Sequence, residues 1–172
     1  MATVTFKNDT VCNLIETQLE VGDLAPKVTV VNSNPMLQDE TIGGTRDKAQ
    51  LVIVVPSLDT PVCDAETRKF NEKVANLDNI EVITVSMDLP FAAARWCGTA
   101  GIDNIKVCSD FRKKEFANAY GVLLEDGPLA GLTCRAIFTI DKNGKITYKQ
   151  IVPEITSEPN YDEAIEAIKA II

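Results

Sequence analysis

The chain has 172 residues, a hydrophobic fraction of 45% and a formal net charge of -8. This length suits one domain with a sizeable core, and the acidic charge argues against nucleic acid or anionic membranes as partners. Five cysteines and no histidine are present, which excludes a cysteine nucleophile activated by a histidine base. No C-x-x-C pair occurs, so we expect neither the usual zinc sites nor a dithiol pair of the thioredoxin type. We also expect no other metal and no bound cofactor.

The compartment and domain organisation follow from what the sequence lacks. The first residues, MATVTFKNDTVCNLIE, contain neither a basic segment nor an apolar one, so we expect no secretory signal. No apolar run approaches the roughly 20 residues of a membrane span. We therefore expect a cytoplasmic protein, whose thiols are kept reduced. With no linker or repeat, residues 1–172 are expected to form a single domain.

The predicted elements of the first half begin with a β-hairpin around the sequence KNDT. Residues 25–50 predict short strands and loops. The continuous apolar run LVIVV at 51–55 predicts a strand covered on both faces. A helical pattern over 61–77 and a second buried strand over 81–86 then complete a parallel β-α-β unit.

The second half continues the alternation of helices and strands. It predicts a short helix over 89–97, a strand over 105–109 and a helix over 110–119. A hairpin with an Asn-Gly turn over 134–152 and a last helix over 160–172 follow. Asp88 is a plausible N-cap of the short helix, and Gly98 its end. Asn160 followed by Glu163 resembles a capping box. The expected fold class is α/β, a central mixed sheet flanked by helices.

The sequence DTPVC places a cysteine in the first turn of the helix over 61–77. Proline favours the first helical position, so Pro61 is N1, Thr60 is the N-cap and Cys63 is N3. The Thr60 hydroxyl is then suited to accept from the N–H of Cys63. The helix dipole favours a negative charge there by up to about 2 kcal/mol, while burial opposes it. A reactive thiolate at this position needs an additional positive charge.

Two other interpretations of Cys63 remain at this point. Its helical face also carries Phe70 and Val74, and a free cysteine on such a face is often only a small apolar residue of the core. A phosphatase loop requires Cys-x5-Arg, whereas Arg68 follows at Cys-x4-Arg and no glycine opens the loop. The phosphatase interpretation is therefore rejected, and the structural one stays open.

A second cysteine, Cys97, lies near the end of the short helix. This helix contains three alanines and a glycine at its predicted end, so it is only marginally stable and can open locally at small cost. Its apolar face is expected to comprise Leu89, Ala92, Ala93 and Trp96. The structural alternative is that Trp96 anchors the core and Cys97 merely lies beside it.

Several stretches together closely resemble the bacterial thiol peroxidases, the atypical two-cysteine peroxiredoxins. They are VPSLDTPVCDAETRKFN, SMDLPFAAARWCGTAGI, SDFRKKEFANAYGV, DGPLAGLTCRAIFTID and EITSEPNYDEAI. The P-x3-T-x2-C element of Pro56, Thr60 and Cys63 is specific to peroxiredoxins. The second cysteine, Cys97, 34 positions after Cys63 (97 − 63), is specific to this branch.

The resemblance implies a thioredoxin-like fold with an added N-terminal hairpin, and a role for each motif residue. Cys63 would be the peroxidatic cysteine and Cys97 the resolving one. Arg135 would supply the positive charge, Thr60 would help to hold the peroxide and Pro56 would shape the pocket. The implied reaction reduces hydrogen peroxide or an organic hydroperoxide through a Cys63 sulfenic acid and an intrachain disulfide. Thioredoxin would reduce the disulfide, and the protein would be a homodimer.

The residues themselves leave some of these points open. An arginine within the apolar strand around Arg135 needs an anionic partner, either a thiolate or a carboxylate. Cys108 and Cys134 are expected to be packed thiols, with Cys134 on the strand face opposite to Arg135. Cys12 lies in the N-terminal hairpin, where a side chain can be exposed. The rival functions are a non-enzymatic redox switch with the same two cysteines and a structural module with inert cysteines.

Overall fold

The structure, a computed structural model, describes residues 2–17 and 19–172. Met1 and Gln18, which fall within the predicted domain, lie outside the described residues. In chain order the elements are β1 (Thr3–Phe6), β2 (Thr10–Asn13), β3 (Val28–Ser33), β4 (Met36–Ile42), β5 (Ala49–Val54), α1 (Pro61–Val74), β6 (Ile80–Ser86), α2 (Pro90–Ala100), β7 (Lys106–Ser109), α3 (Glu115–Ala119), β8 (Ala136–Ile140), β9 (Ile146–Ile151) and α4 (Tyr161–Lys169).

A seven-stranded mixed sheet organises the chain, with the strand order β4-β3-β7-β6-β5-β8-β9. The strands β5, β6 and β7 are parallel, as the predicted β-α-β unit requires, and the remaining pairs are antiparallel. All six residues of β5 are buried, which confirms the strand predicted from the apolar run. The hairpin of β1 and β2 forms a separate small sheet, also as predicted.

Two apolar cores cover the two faces of this sheet. Successive residues of β5 point to opposite faces, so Leu51 and Ile53 join one cluster while Val52 and Val54 join the other. The first cluster packs under α1, α2 and α4, and the second packs under α3 and the N-terminal hairpin. The cysteine at the start of α1 therefore lies on the side of the sheet that carries three helices.

Some predicted helix ends are wrong. The helix α2 runs through Gly98 to Ala100, and it ends at Gly101, which adopts a left-handed conformation with φ of 69°. A glycine inside a helix costs about 1 kcal/mol but does not stop it, whereas the left-handed position after the helix is best occupied by glycine. The predicted N-cap of α2, Asp88, is also displaced, since Leu89 holds that position without a side-chain cap.

The last helix keeps its predicted start but not its capping box. The Asn160 side chain accepts a hydrogen bond from the N–H of Glu163 at 3.0 Å, so the N-cap is confirmed. The N–H of Asn160 donates instead to the Oε1 atom of Gln150 at 2.8 Å. The Glu163 carboxylate accepts from the Tyr148 hydroxyl at 3.1 Å. The neighbouring strand β9 thus takes both groups that a capping box would have joined.

Glu154 fastens the N-terminal hairpin to the segment that follows β9. Its carboxylate accepts from the backbone N–H groups of Lys7 and Asn8 at 2.9 and 3.1 Å and from the Thr5 hydroxyl. Thr5 also exchanges backbone hydrogen bonds with Pro153 and Ile155. Desolvation opposes ionisation of Glu154, but these hydrogen bonds and those from Thr156 outweigh it and hold the pKa at about 2.

This carboxylate makes the stability of the hairpin attachment dependent on pH. Because the folded pKa of Glu154 is about 2 against an ordinary value of 4.5, its contribution is present above pH 4.5 and is lost as the pH falls toward 2. We expect Glu154→Gln to cost about 1 kcal/mol of unfolding free energy at pH 7 and about half of that or less at pH 3, where the carboxylate contribution is partly lost. Urea unfolding of both proteins at the two pH values measures this, and an equal cost at both would contradict it.

Within residues 2–17 and 19–172, no helix combines the length and the apolar character that a membrane crossing requires.

Candidate active site

Cys63 lies in the first turn of α1, at the place predicted for it. Pro61 opens the helix, and Thr60 precedes it in an extended conformation. The Cys63 side chain is 0% exposed, and it belongs to the helical face that also carries Phe70 and Val74. The unpaired N–H groups of the first helical turn surround this position, so a negative charge on Sγ is favoured there.

The predicted hydrogen bond from the Cys63 N–H to Thr60 is wrong. No side chain caps the start of α1, and the Thr60 hydroxyl donates to the carbonyl oxygen of Ser57 at 2.9 Å. The tight turn between Ser57 and Thr60 brings that carbonyl within reach, as the backbone bond of 3.2 Å between them also shows. The Thr60 oxygen therefore keeps its acceptor capacity for another donor.

Arg135 brings a positive charge into contact with the Cys63 thiol. It lies immediately before β8 and is 1% exposed. Its Nη1 atom donates to the Sγ atom of Cys63 at 3.3 Å and to the Oε2 atom of Glu66 at 2.5 Å. Its Nε and Nη2 atoms both donate to the carbonyl of Ile155, at 3.0 and 2.7 Å. Both partners considered for Arg135 are thus present: the sulfur of Cys63 and the carboxyl group of Glu66.

Burial disfavours the charged forms of both Arg135 and Glu66, but their partners offset it to different extents. Burial works against the charged form of Arg135, but Glu66 and Cys63 outweigh it and raise the pKa of the guanidinium. Burial raises the pKa of the Glu66 carboxyl to about 7, although Arg135 opposes the rise. Glu66 was not predicted from the sequence. Its signal was its spacing of three residues from Cys63, which places both on one helical face.

The loop before α1 is fixed by one buried hydrogen bond and by the partly buried carboxylate of Asp88. Pro56 follows β5 and is buried, close to where Thr133 donates to the carbonyl of Val55 at 2.7 Å. Asp88 accepts from the Ser57 hydroxyl at 2.7 Å and from the N–H of Leu58 at 2.8 Å. Asp88 therefore holds the active-site loop instead of capping α2. The prediction of an N-cap is wrong because the Asp88 carboxylate is taken by two donors of a neighbouring loop.

The structure does not place Cys97 with Cys63 and Arg135. Cys97 is partly buried on α2 and lines a cavity of about 800 Å³, which Ser33 and Lys106 also line. Burial raises the pKa of the Cys97 thiol, and a hydrogen bond with Ser33 partly offsets the rise. All five cysteines of the chain are free. Cys97 nevertheless packs against the same apolar cluster that contains Cys63.

Residues next to the two cysteines join α1 to α2. The indole N–H of Trp96 donates to the Oδ1 atom of Asp64 at 2.9 Å, and Arg68 donates to the same oxygen at 2.9 Å. The Arg68 guanidinium also lies 5.7 Å from the centre of the Trp96 ring. We call this group of Asp64, Arg68 and Trp96 the α1–α2 latch.

The apolar face predicted for α2 is only partly correct. Ala93 is fully buried, Ala92 and Trp96 are half-buried, and Leu89 is 51% exposed. Few side chains of this helix are thus buried against the sheet, and the latch joins it to α1. Its marginal stability stays a prediction.

The other three cysteines lie away from this site. Cys108 and Cys134 are buried, as predicted, and burial raises the pKa of each thiol to about 12. Cys134 packs on the face of the sheet opposite to Cys63, as expected from strand alternation. The exposure considered for Cys12 is wrong, because it is fully buried in the core beneath the N-terminal hairpin.

A thiol, a guanidinium and the start of a helix, arranged on a mixed sheet flanked by helices, define a class of thiol-dependent redox proteins. A family model described as Redoxin matches residues 20–165. The thiol peroxidase of Aquifex aeolicus is 49% identical over 99% of this chain and 98% of its own length. That of Halalkalibacterium halodurans is 48% identical over the full length of both.

Solved structures agree with the sequence comparisons. A peroxiredoxin-like protein from Aquifex aeolicus has a TM-score of 0.94 and 49% identity, covering 99% of this chain and 97% of that one. A thiol peroxidase from Chromobacterium violaceum, at 21% identity, shares the fold with a TM-score of 0.85, covering 98% and 95%. The chain belongs to the redoxin family and, within it, to the bacterial thiol peroxidases. It is an oxidoreductase of the peroxiredoxin type, and the thioredoxin-like fold with an N-terminal hairpin is confirmed.

Proposed function

We propose that this enzyme reduces hydrogen peroxide and organic hydroperoxides to water or alcohols, with Cys63 as the peroxidatic cysteine. The observation that carries the proposal is the hydrogen bond from the buried guanidinium of Arg135 to the Sγ atom of Cys63, at 3.3 Å. In the absence of histidine, this cation and the start of α1 are the groups that favour the thiolate.

The proposed reaction begins when the Cys63 thiolate attacks the terminal oxygen of the hydroperoxide. The S–O bond forms as the O–O bond breaks, giving a sulfenic acid and water or an alcohol. The Thr60 hydroxyl, which donates to Ser57, is free to accept the hydroperoxide O–H. Arg135 and the N–H groups of the first helical turn stabilise charge on the breaking bond. Pro56, buried beside the site, shields the sulfur from water.

The proposed resolution step joins Cys63 to Cys97. The Cys97 thiol condenses with the sulfenic acid to form an intrachain disulfide and water. Such a bridge needs Cα atoms about 4.4–6.8 Å apart, and Cys97 lines a cavity of which Cys63 is not a lining residue. Local unwinding of the ends of α1 and α2 therefore accompanies the step. Thioredoxin then reduces the disulfide by thiol–disulfide exchange.

The proposal also covers the assembly of the protein. We place it in the cytoplasm as a homodimer, by analogy with the family. We treat residues 1–172 as one domain, because the N-terminal hairpin is tied to the sheet by backbone bonds between Thr5 and Pro153 and between Ile15 and Leu123, at 2.8 and 2.9 Å.

Disulfide mapping tests the two cysteine roles directly. We expect one equivalent of hydroperoxide to produce a dominant Cys63–Cys97 link in the reduced protein, identified by non-reducing peptide mass spectrometry. In Cys97→Ser the link is lost and a Cys63 sulfenic acid is trapped instead. Unmodified thiols, or links through Cys12, Cys108 or Cys134, would show that the proposed mechanism does not apply to this chain.

A redox switch with the same chemistry is the second candidate function. Steady consumption of hydroperoxide with thioredoxin, thioredoxin reductase and NADPH separates the two, because a switch turns over once and a peroxidase continues. Many turnovers per protein support the peroxidase, and oxidation that stops at one equivalent supports the switch.

The α1–α2 latch is expected to limit the resolution step. Trp96→Phe removes the hydrogen bond to Asp64 while the ring is retained, which weakens the latch by about 1 kcal/mol. We expect disulfide formation to be about five-fold faster, with peroxide attack on Cys63 unchanged. Rapid quenching with an alkylating reagent measures both steps. Phe91→Leu, on the exposed side of the same helix, is the control and should change neither step.

A further inference from the structure

A single guanidinium faces two acids in the core of the active site. The Nη1 atom of Arg135 donates to both Cys63 and Glu66. Its remaining hydrogen bonds go to the carbonyl of Ile155, which carries no formal charge. Cys63 and Glu66 lie three residues apart on the same buried face of α1, so the helix holds both acids next to Arg135.

The burial of this group limits its net charge. Cys63 and Glu66 are 0% exposed and Arg135 is 1% exposed. With both acids ionised the group carries a net charge of minus one, and with both protonated it carries plus one. An unbalanced charge at such depth costs several kcal/mol. The group is neutral only when one of the two acids, and not both, is ionised.

A second feature indicates that Glu66 is not permanently ionised. Its Oε1 atom is buried and has no hydrogen-bond partner among the described residues. A carboxylate oxygen in that position would carry a partial negative charge that no donor stabilises. Burial correspondingly raises the pKa of Glu66 to about 7 against the influence of Arg135.

The other ionisable groups around Glu66 supply no further positive charge to it. Glu158, in the segment before α4, raises the Glu66 pKa and is itself paired with Lys69 of α1 at 2.8 Å. Tyr161, at the start of α4, donates a hydrogen bond from its hydroxyl to the Glu158 carboxylate at 3.0 Å. Arg135 therefore remains the cation that both acids share.

We propose that Cys63 and Glu66 hold one proton between them, so that Arg135 faces one negative charge in every state of the reaction. The inference rests on the proposed oxidation of Cys63. Before oxidation, the charge is shared between the Cys63 thiolate and the Glu66 carboxylate. After oxidation, the sulfenic acid is neutral and Glu66 holds the charge alone. Glu66 is a positioning residue that acts through Arg135, and it does not contact the substrate.

The proton balance of the first step follows. The Cys63 thiolate, the protonated Glu66 and the hydroperoxide give the Cys63 sulfenic acid, the ionised Glu66 and water or an alcohol. One S–O bond forms, the O–O bond breaks, and the proton lost by Glu66 equals the one gained by the products. The other arrangement, a thiol with an ionised Glu66, gives the same products. Neither arrangement takes a proton from solution.

Proton uptake during oxidation distinguishes this arrangement from independent ionisation. The experiment uses Cys97→Ser protein, weakly buffered with an indicator dye, and one equivalent of hydrogen peroxide. We expect no net proton uptake per Cys63 oxidised. With Glu66→Gln added, at a pH where ultraviolet absorbance shows the thiolate to be complete, one proton per Cys63 should be taken up. Uptake of one proton in both proteins, or of none in both, would overturn the inference.

Infrared spectra of two variants test the protonation of Glu66 independently of Glu66→Gln. Infrared difference spectra of the Cys97→Ser protein should show loss of the protonated carboxyl band on oxidation, from the fraction of molecules in which Glu66 holds the shared proton. Persistence of that band would contradict the inference even if Glu66→Gln failed to fold. Glu66→Leu should lack that band. If peroxide leaves Cys63 unmodified in every protein, the proposed function fails. If Cys63 is oxidised but one proton is taken up with Glu66 intact, only the inference fails.

Discussion

Peroxidase activity is expected to fall by about 10³-fold or more in Cys63→Ser, to the rate of the uncatalysed reaction. A serine hydroxyl at the start of α1 would remain protonated beside Arg135, and an alcohol does not attack a peroxide oxygen as a thiolate does. The coupled thioredoxin assay measures the loss. Urea unfolding must accompany it, because Cys63 is fully buried and a change of side chain there can also affect packing.

The matched controls are the cysteines that lie in the other core. Cys12→Ala and Cys108→Ala each remove a buried thiol from the cluster beneath α3 and the hairpin. We expect each to lose about 1 kcal/mol of stability and to keep the parent turnover rate. Full peroxidase activity in Cys63→Ser, or loss of peroxidase activity in both controls, would contradict the assignment of Cys63 as the catalytic cysteine.

The parts of the fold that the sequence predicted correctly are those set by local patterns. The apolar run at 51–55, together with Pro61 as the first residue of a helix, was sufficient for β5, for α1 and for the position of Cys63. The strands β3 and β4 were predicted only as short strands and loops, because β4 is an exposed edge strand whose residues do not alternate clearly. Its pairing with β3 depends on tertiary contact.

Side-chain partners were harder to predict, since they depend on loops that meet only in the folded chain. Asp88 was assigned to its own helix, but it accepts from Ser57 and Leu58, about 30 residues away. Contact between segments that are distant in the sequence also explains the burial of Cys12. The strand β2 is held by Asp126, whose side chain accepts from the Asn13 backbone 113 residues away at 2.7 Å, and no local pattern reports such a contact.

The sequence predicted that Arg135 has an anionic partner, but it did not decide which residue that partner is. A buried arginine predicts an anionic partner, and two alternatives were open, a thiolate or a carboxylate. In the structure a single Nη1 atom donates to both a cysteine sulfur and a carboxylate. Arg135 can therefore hold the fold through Glu66 and, in the proposed mechanism, activate Cys63, and these two roles can be separated only by changing the partners independently.

Arg135→Met is expected to reduce the rate of Cys63 oxidation by about 10²-fold to 10³-fold, the effect of removing one donor that stabilises transition-state charge. The variant should also lose about 3–5 kcal/mol of stability, because Glu66 becomes an unpaired buried acid and the Ile155 carbonyl loses both donors. Stopped-flow oxidation by hydrogen peroxide and urea unfolding measure the two effects.

The double variant Arg135→Met with Glu66→Met separates those roles. Removing the unpaired acid should restore part of the lost stability, since apolar residues of similar volume often replace a buried ion pair at little cost. The oxidation rate should stay as low as in Arg135→Met, because the thiolate still lacks its cation. A double variant that recovered both stability and rate would show that Arg135 acts only by holding the fold together. Recovery of stability alone would identify its charge as the group that makes Cys63 reactive.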